Sequence, residues 1–323
     1  MALLEIHDLH TFFKTKKGIV KAVNGVSYSV EPGKTLGVVG ESGSGKSVSA
    51  MSILKLLDGN GYIDSGEIIF DGKNLADVSV KDMCKIRGNE ISVIFQEPMT
   101  SLNPIFTVER QLSEPFIIHQ GMNKKEAAEK VVEMLKDVRI PNPEAVAKQY
   151  PHQLSGGMSQ RVMIAMAMSC NPQLLIADEP TTALDVTIQA QILELMKKIQ
   201  KEEGMSILLI THDLGVVAEM CTRVIVMYAG EIVEEAPVDV LFYQPAHPYT
   251  KGLIASVPKL GSGVKVLPSI PGSVPDLSSL PEGCRFAPRC AFATERCRKE
   301  KPDLYPVGEG QRSRCFLAEN AGK

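Results

Sequence analysis

Short apolar runs alternate along this chain with longer segments in which apolar residues recur at helical spacing. The apolar runs predict buried strands, and the clearest are residues 35–39, 91–95, 174–177 and 206–210. Helical spacing marks residues 124–138 and 187–203, and residues 106–165 as a whole are predicted to be largely helical. Strands that alternate with helices in this way predict an α/β fold with a mostly parallel sheet.

Other segments carry the signals of antiparallel hairpins. Residues 20–30 alternate loosely and contain Asn24-Gly25, a pair typical of tight turns. Residues 66–72 predict a further strand, and residues 224–233 predict a hairpin that turns at Ala229-Gly230. We therefore expect antiparallel strands in front of the α/β body and a helical insertion at about 105–165.

The strand at 35–39 is followed by Gly40-Glu41-Ser42-Gly43-Ser44-Gly45-Lys46-Ser47, which fits the pattern G-x-x-x-x-G-K-[ST]. Main-chain N–H groups of such a loop surround phosphate oxygens, Lys46 adds a charge for the β- and γ-phosphates, and Ser47 offers a hydroxyl to Mg²⁺. The nucleotide-binding residues predicted here are Gly40, Ser42, Gly43, Ser44, Gly45, Lys46 and Ser47. A dinucleotide fingerprint is excluded because Val48 occupies its third glycine position.

Polar side chains follow three of the predicted strands. Asp178 and Glu179 end one strand, Gln96 follows another, and His212 follows the strand at 206–210. The carboxyl ends of parallel strands meet at one sheet edge, where the phosphate loop also opens. We expect Asp178 to hold Mg²⁺, Glu179 to orient or deprotonate water, Gln96 to touch metal or water, and His212 to reach the terminal phosphate.

Leu154-Ser155-Gly156-Gly157 precedes a predicted helix that starts at about Ser159. A serine and two glycines at a helix start form either a second anion-binding element or an ordinary N-cap. The residues alone favour the ordinary N-cap.

In this order the motifs resemble those of an ABC-transporter ATPase over residues 1 to about 240. The resemblance implies a P-loop NTPase fold of ABC type, with an antiparallel β subdomain and a helical subdomain at about 105–165, in an ATPase domain spanning residues 1–258. It also implies that Gln96 is the Q-loop residue and a ligand of Mg²⁺, Glu179 the catalytic carboxylate and His212 the switch histidine. Ser155 and Gly157 would contact ATP bound to the opposite subunit.

The resemblance concerns two further positions, the aromatic residue that stacks on adenine and the residue that follows Ser-Gly-Gly in the signature. An aromatic residue that stacks on adenine is expected before the first hairpin; Phe13 is the first choice, Phe12 the alternative, and Tyr28 is disfavoured because it falls within the second strand. The family signature usually continues Leu-Ser-Gly-Gly-Gln, and this chain has Met158 instead. The serine and glycines that would meet phosphate are retained.

The segments 96–104 and 246–251 resemble the group of dipeptide, oligopeptide and nickel importers. The function implied is ATP hydrolysis that powers peptide import. The partners implied are two permease subunits, a second ATP-binding subunit or a second copy of this chain in a head-to-tail dimer, and an extracytoplasmic peptide-binding protein. Nickel or another small solute is the alternative cargo. A soluble ABC ATPase of nucleic-acid metabolism is a further alternative.

The net charge and the apolar runs of the chain bear on its partners and its location. The 323 residues carry a formal net charge of −3, which gives no reason to expect nucleic acid as a partner. No apolar run reaches the length of a membrane span, and the N-terminus lacks a basic segment followed by a long apolar one. We expect a cytosolic chain bound peripherally to the cytoplasmic face of the cell membrane.

A Cys-rich C-terminal extension is predicted at residues 259–323, where a Pro-rich linker leads to Cys284, Cys290, Cys297 and Cys315. In a reducing cytosol such a cluster indicates metal rather than disulfides. Zinc ribbons use tight Cys-x-x-Cys pairs, which are absent here, so the wide gaps favour a [4Fe–4S] cluster over Zn²⁺. The resemblance also implies an iron–sulfur cluster. A structural role is expected, because a Pro-rich segment otherwise lacks a core.

Overall fold

The computed structural model describes residues 2–16, 18–97, 101–182, 184–257 and 268–320. Residues 98–100 of the predicted Q-loop motif, Ala183 and residues 258–267 of the predicted linker lie outside this set. The chain forms two compact units. The first contains Met1–Val30, Thr35–Ala76 and Ile210–Lys323, and the second contains Glu31–Lys34 and Asp77–Leu209. The predicted domain boundary at residue 258 stays a prediction, since the compact units follow a different division.

Twelve strands lie within the described residues. They are β1 (Leu4–Thr15), β2 (Gly18–Val30), β3 (Thr35–Val39), β4 (Gly61–Phe70), β5 (Lys73–Asn74), β6 (Ile91–Ile94), β7 (Leu174–Asp178), β8 (Ser206–Ile210), β9 (Arg223–Tyr228), β10 (Glu231–Pro237), β11 (Tyr305–Gly308) and β12 (Gln311–Ser313).

The described α-helices follow the same chain order. They are α1 (Lys46–Ile53), α2 (Val80–Ile86), α3 (Val108–Gln120), α4 (Lys124–Asp137), α5 (Pro143–Ala147), α6 (Gly156–Met168), α7 (Val186–Glu203), α8 (Leu214–Met220), α9 (Val238–Tyr243), α10 (Pro248–Ala255) and α11 (Glu295–Lys299). Among these helices none has the length and apolar character needed to cross a membrane.

The antiparallel sheet of the first unit has the strand order β2-β1-β4-β5. The turn predicted at Asn24-Gly25 is wrong, because β2 runs straight through this pair and the chain turns earlier, between β1 and β2. Across the pair, Leu9 faces Val26 while His10 faces Asn24, so Gly25 is an extra residue. The Asn-Gly pair therefore forms a β-bulge within one long strand.

The other strands of the first unit have the order β11-β12-β10-β9-β3. β3 and β9 are parallel, and the remaining pairs are antiparallel. β9 and β10 form the hairpin predicted at Ala229-Gly230. β12 comes from the C-terminal segment, which therefore extends the same sheet beyond β10.

Three buried glutamates of β10 are paired mostly with C-terminal residues. Arg285 and Lys301 contact Glu231 at 2.9 and 2.8 Å. Glu235 is paired with Arg312 of β12 and with Arg223 of β9. Buried carboxylates are costly unless paired, so these contacts tie the C-terminal segment to the sheet.

Glu234 is fully buried and accepts three hydrogen bonds. The main-chain amides of Ala246 and His247 each donate at 2.8 Å, and Gln311 Nε2 donates at 2.9 Å. Glu234 thus fixes the start of α10, which carries the segment 246–251, against β12.

The second unit contains neighbouring strands in the order β8-β7-β6, and β6 runs parallel to β7. Every residue of β7 and β8 is buried, as their continuous apolar runs predict. Helices α3 to α6 occupy the segment that was predicted to be helical. α4 begins with a capping box between Asn123 and Glu126, and α7 ends at Gly204 in the left-handed conformation.

Candidate nucleotide-binding and catalytic site

The phosphate loop, residues 40–47, leaves the end of β3 and is shaped by close main-chain contacts. Gly40 has φ of 151°, and a Cβ there would lie 2.2 Å from the carbonyl oxygen of Met227. Gly45 has φ of 95°, and a Cβ there would lie 2.3 Å from the carbonyl oxygen of Ala22. No side chain fits such spaces, so both glycines are sterically required.

Lys46 folds back over this loop. Its side chain is buried, and Nζ donates to the carbonyl oxygens of Gly40 at 2.8 Å and Glu41 at 3.0 Å. α1 begins at Lys46, so the positive end of its dipole faces the loop. The hydroxyl of Ser44 is buried and has no hydrogen-bond partner within the described part of the chain. An anion in the loop would satisfy these donors.

His212 also belongs to the first unit. The amide of Thr211 donates to the carbonyl of Val38 in β3 at 3.2 Å, so His212 lies beside the strand that leads into the phosphate loop. Its side chain is exposed. This position agrees with the prediction that His212 follows a strand at the loop edge of a sheet.

The three candidate aromatic residues differ in burial. Phe12 is buried edge-on against Tyr62, with 6.3 Å between ring centroids. Tyr28 is buried and its hydroxyl bonds Ser49 of α1 at 2.9 Å; burial raises the pKa of Tyr28 well above its usual range. Phe13 is half-buried. Phe13 alone of these three keeps an exposed surface, which stacking on a base requires.

In the second unit, parallel pairing brings Gln96 and Glu179 together. Ile94 of β6 faces Ala177 of β7, so both strands end at the same level. Gln96 lies two residues after β6, and its Nε2 donates to Glu179 Oε2 at 2.9 Å. This contact between residues 83 positions apart agrees with the prediction that both side chains lie at one strand edge.

Glu179 is held in an unusual main-chain conformation. Its φ is 48°, a left-handed value that is strained for a residue with a side chain. Thr182 Oγ1 donates to the same carboxylate oxygen at 2.9 Å. Asp178, one residue earlier, ends β7 and is buried. The two neighbouring carboxylates thus have different surroundings. Asp178 is buried, whereas Glu179 lies in a turn with a strained main chain.

Ser155 is the N-cap of α6, and its hydroxyl accepts from the amide of Met158 at 3.3 Å. The N-cap interpretation is therefore confirmed, while contact with a nucleotide stays a prediction for Ser155 and Gly157. The sequence analysis did not identify Gln160 as a site residue. Its buried side chain donates to the carbonyl of Pro180. Its spacing of one helical turn from Gly156 was the available signal.

The four tail cysteines line a single cavity of about 280 Å³ in the first unit. Phe286, Phe292 and Phe316 line it as well. Burial raises the pKa of the Cys284 thiol to about 11 and raises those of Cys290 and Cys315 above their usual value. His247 at the edge is neutral, because burial lowers its pKa to about 3.

The cavity suits a single metal ion poorly. Tetrahedral zinc needs sulfur atoms about 3.8 Å apart, given Zn–S bonds of about 2.3 Å. Across the described residues, no group of three or more His, Cys, Asp or Glu side chains is close enough to hold one ion.

A strand–loop–helix phosphate cradle and a strand-end pair of acids define a P-loop NTPase. Residues 23–182 match the ABC transporter family, and residues 233–297 match the oligopeptide/dipeptide transporter C-terminal region. The chain belongs to the ABC transporter ATP-binding proteins of the peptide importer group. As a member of this family, it is an ATPase.

Two curated relatives match along nearly their whole length. The oligopeptide transport ATP-binding protein AppD of Bacillus subtilis (strain 168) is 54% identical over 321 residues, covering 99% of this chain and 98% of the relative. The dipeptide transport ATP-binding protein DppD of Escherichia coli (strain K12) is 48% identical over 324 residues, covering 100% of this chain and 99% of the relative.

Solved structures resemble the chain over a shorter range. The dimeric post-hydrolysis state of the ATP-binding cassette MJ0796, bound to ADP and Pi, is 30% identical with a TM-score of 0.66 and covers 73% of this chain and 98% of its own. The protein cbiO1 of Clostridium perfringens, part of the ABC transporter complex cbiONQ, is 28% identical with a TM-score of 0.64, covering 75% of this chain and 91% of its own.

Proposed function

We propose that this chain hydrolyses ATP to drive import of dipeptides or oligopeptides through a separate membrane permease. One observation carries the proposal: the match to the oligopeptide/dipeptide transporter C-terminal region, in a chain that aligns end to end with two peptide transport ATP-binding proteins. The alternative cargo, nickel or another small solute, has no comparable support.

In the first unit, the phosphate loop holds the triphosphate. The amides of Gly40, Ser42, Gly43, Ser44 and Gly45 are its main-chain ligands, and Ser47 is a ligand of Mg²⁺. Lys46 exchanges its carbonyl contacts with Gly40 and Glu41 for phosphate oxygens. Phe13 stacks on adenine, and His212 donates to the γ-phosphate. The buried Ser44 hydroxyl and the glycines that admit no Cβ support this assignment.

In the second unit, Asp178 holds Mg²⁺, and Glu179 orients and deprotonates the attacking water. Gln96 and Thr182 fix the Glu179 carboxylate by both donating to its Oε2. Gln96 is also a ligand of Mg²⁺ or water once it leaves this contact. Mg²⁺ neutralises the charge that develops on the transferred phosphoryl group. Ser155 and Gly157 contact ATP held by the opposite subunit of a head-to-tail dimer.

The same proposal includes the assembly. The chain pairs with a related ATP-binding subunit or with a second copy of itself, and the pair binds two permease subunits at the cytoplasmic face of the membrane. An extracytoplasmic binding protein delivers the peptide. The dimeric state described for MJ0796 supports the pairing.

Cys284, Cys290, Cys297 and Cys315 are proposed to hold a [4Fe–4S] cluster, with Zn²⁺ as the alternative. The shared cavity of about 280 Å³ supports the larger centre. Ligation of four thiolates to one centre would cross-link a segment that contains little regular structure. Broad absorption near about 400 nm with iron and sulfide in anaerobically purified protein is expected for the cluster, whereas colourless zinc protein would contradict it.

The experiment that tests the function is uptake by cells whose only copy is Glu179→Gln. We expect ATP binding to persist while hydrolysis falls by roughly 10² to 10⁴, because the general base is lost. Uptake of a labelled dipeptide should cease. Glu129→Gln, an exposed change on α4, is the matched control.

Undiminished hydrolysis in Glu179→Gln would remove this residue from its role. Loss of nickel uptake with normal dipeptide uptake would instead favour the alternative cargo.

A further inference from the structure

Residues of the C-terminal region contact the phosphate loop at Glu41. Arg289 forms a two-pronged ion pair with its carboxylate: Nη1 lies 2.6 Å from Oε2, and Nη2 lies 3.1 Å from Oε1. The Arg289 side chain is 5% exposed and that of Glu41 30%. The two-pronged geometry and the burial of Arg289 strengthen this ion pair.

A second contact reaches the main chain of the same residue. The amide of Glu41 donates to the hydroxyl of Tyr249 at 2.9 Å. Tyr249 is completely buried and packs against Tyr228 and Phe286, with centroids 4.7 and 5.4 Å away. The amide and the carboxylate of Glu41 are thus both fixed by residues outside the loop.

The guanidinium of Arg289 is itself fixed. Its Nε donates to the carbonyl of Pro271 at 2.9 Å, and Nη2 donates to the carbonyl of Ile270 at 3.3 Å. A side chain held by two carbonyls as well as by a carboxylate has little freedom to leave when the loop moves. Arg289 therefore acts as an anchor for Glu41.

A glutamate at position 41 is electrostatically unfavourable in a loop that receives a triphosphate. Its carboxylate brings a negative charge to the loop, and its carbonyl accepts from Lys46, the loop's own cation. A negative charge in this loop repels an incoming triphosphate. Neutralisation by Arg289 removes most of this repulsion.

We propose that Arg289 is a positioning residue for ATP binding: it neutralises and orients Glu41, so that the C-terminal region sets the affinity of the phosphate loop. The inference rests on the proposed role of residues 40–47 in holding the triphosphate. It does not depend on what the cysteine cavity holds.

The test is a double-mutant cycle in the full-length chain, read as the Kd for a fluorescent ATP analogue and as KM and kcat for ATP. Arg289→Gln is expected to weaken binding roughly tenfold, because the loop then carries an un-neutralised carboxylate. Glu41→Gln is expected to strengthen it by up to about threefold. The double variant should regain an affinity near that of the unchanged chain, and KM should change more than kcat throughout.

A purely structural role of Arg289 predicts a different result. The double variant would then bind ATP as weakly as Arg289→Gln, and kcat would fall together with thermal stability; that outcome overturns the proposal. Arg289→Lys keeps the charge and loses the two-pronged geometry, so an intermediate affinity is expected. If Arg289→Gln does not fold, Arg289→Lys with and without Glu41→Gln completes the cycle.

Two controls separate this inference from the proposed function. Arg298→Gln removes an exposed arginine of the same segment and should leave Kd unchanged. Lys46→Ala should abolish binding. Full binding by Lys46→Ala would refute the role of the loop, whereas loss in Lys46→Ala beside normal binding in Arg289→Gln would refute only the role of Arg289.

Discussion

The phosphate loop and the cysteine cavity belong to the same compact unit and are built in opposite ways. The loop is shaped by main-chain contacts, with Gly40 and Gly45 pressed against carbonyl oxygens and Lys46 already bonded to the loop. The cavity is lined by four thiols, and burial raises the pKa of the Cys284 thiol to about 11. Within the described part of the chain, no three His, Cys, Asp or Glu side chains lie close enough together to hold one ion. One site is thus formed without a bound ligand, whereas the other would be completed only by the metal centre proposed for it.

The largest expected effect tests the main-chain side of this comparison. Gly45→Ala places a Cβ against the carbonyl of Ala22, and we expect it to cost roughly 3 kcal/mol or more of unfolding free energy and to abolish ATP binding. Gly43→Ala is the matched control, since Gly43 also has a positive φ, 76°, but no atom lies within 4 Å of its Cβ position. It should cost about 1 to 2 kcal/mol.

Urea unfolding and titration with an ATP analogue measure both variants. Equal losses of unfolding free energy and of ATP affinity in Gly45→Ala and Gly43→Ala would mean that main-chain conformation alone, rather than contact with Ala22, decides the shape of the loop.

A smaller effect is expected at the cysteine cavity. Cys284→Ser should remove the visible absorption of anaerobically purified protein and lower the unfolding free energy by roughly 2 kcal/mol, because the centre loses a thiolate ligand. Cys84→Ser, an exposed change on α2, is the control and should retain both properties. Unchanged absorption and iron content in Cys284→Ser would show that the cavity is not completed by a ligand at this thiol.

The smallest effect concerns a side-chain contact beside the loop. Tyr28→Phe removes the buried hydrogen bond to Ser49 of α1 and should cost about 1 kcal/mol of unfolding free energy. The Kd for ATP should stay within about twofold, because main-chain contacts hold the loop. Tyr243→Phe, at an exposed position, should change neither quantity. A tenfold loss of ATP affinity in Tyr28→Phe would weaken the contrast between the two sites.

Features with a local cause could be predicted from the sequence. The buried strands predicted at 35–39, 174–177 and 206–210 are short apolar runs, and α4 repeats its apolar residues at helical spacing. The position of Gln96 and Glu179 at one strand edge followed from parallel pairing, although the hydrogen bond between them was not predicted. Asn24-Gly25 was misread because the same pair permits either a hairpin turn or a bulge, and only pairing with β1 decides between them.

Features with a distant cause could not be predicted. Arg289 and Glu41 are 248 positions apart, and nothing in either neighbourhood signals the other. The glutamates of β10 look like solvent-facing residues in a strand pattern, yet Glu231, Glu234 and Glu235 are buried. Arg285, Lys301, Gln311 and Arg312, which pair with them, come from the C-terminal segment, whose fold depends on the pairing of β12 with β10.

The pairing of β12 with β10 has a practical consequence for anyone shortening this chain. An ATPase fragment ending at residue 257 would uncover the free hydrogen-bonding edge of β10. Glu231 would lose both of its cationic neighbours, and Glu234 would lose the Gln311 amide. Bare strand edges recruit other chains. Such a fragment would precipitate or aggregate during expression, so the tail is a requirement for making the catalytic part.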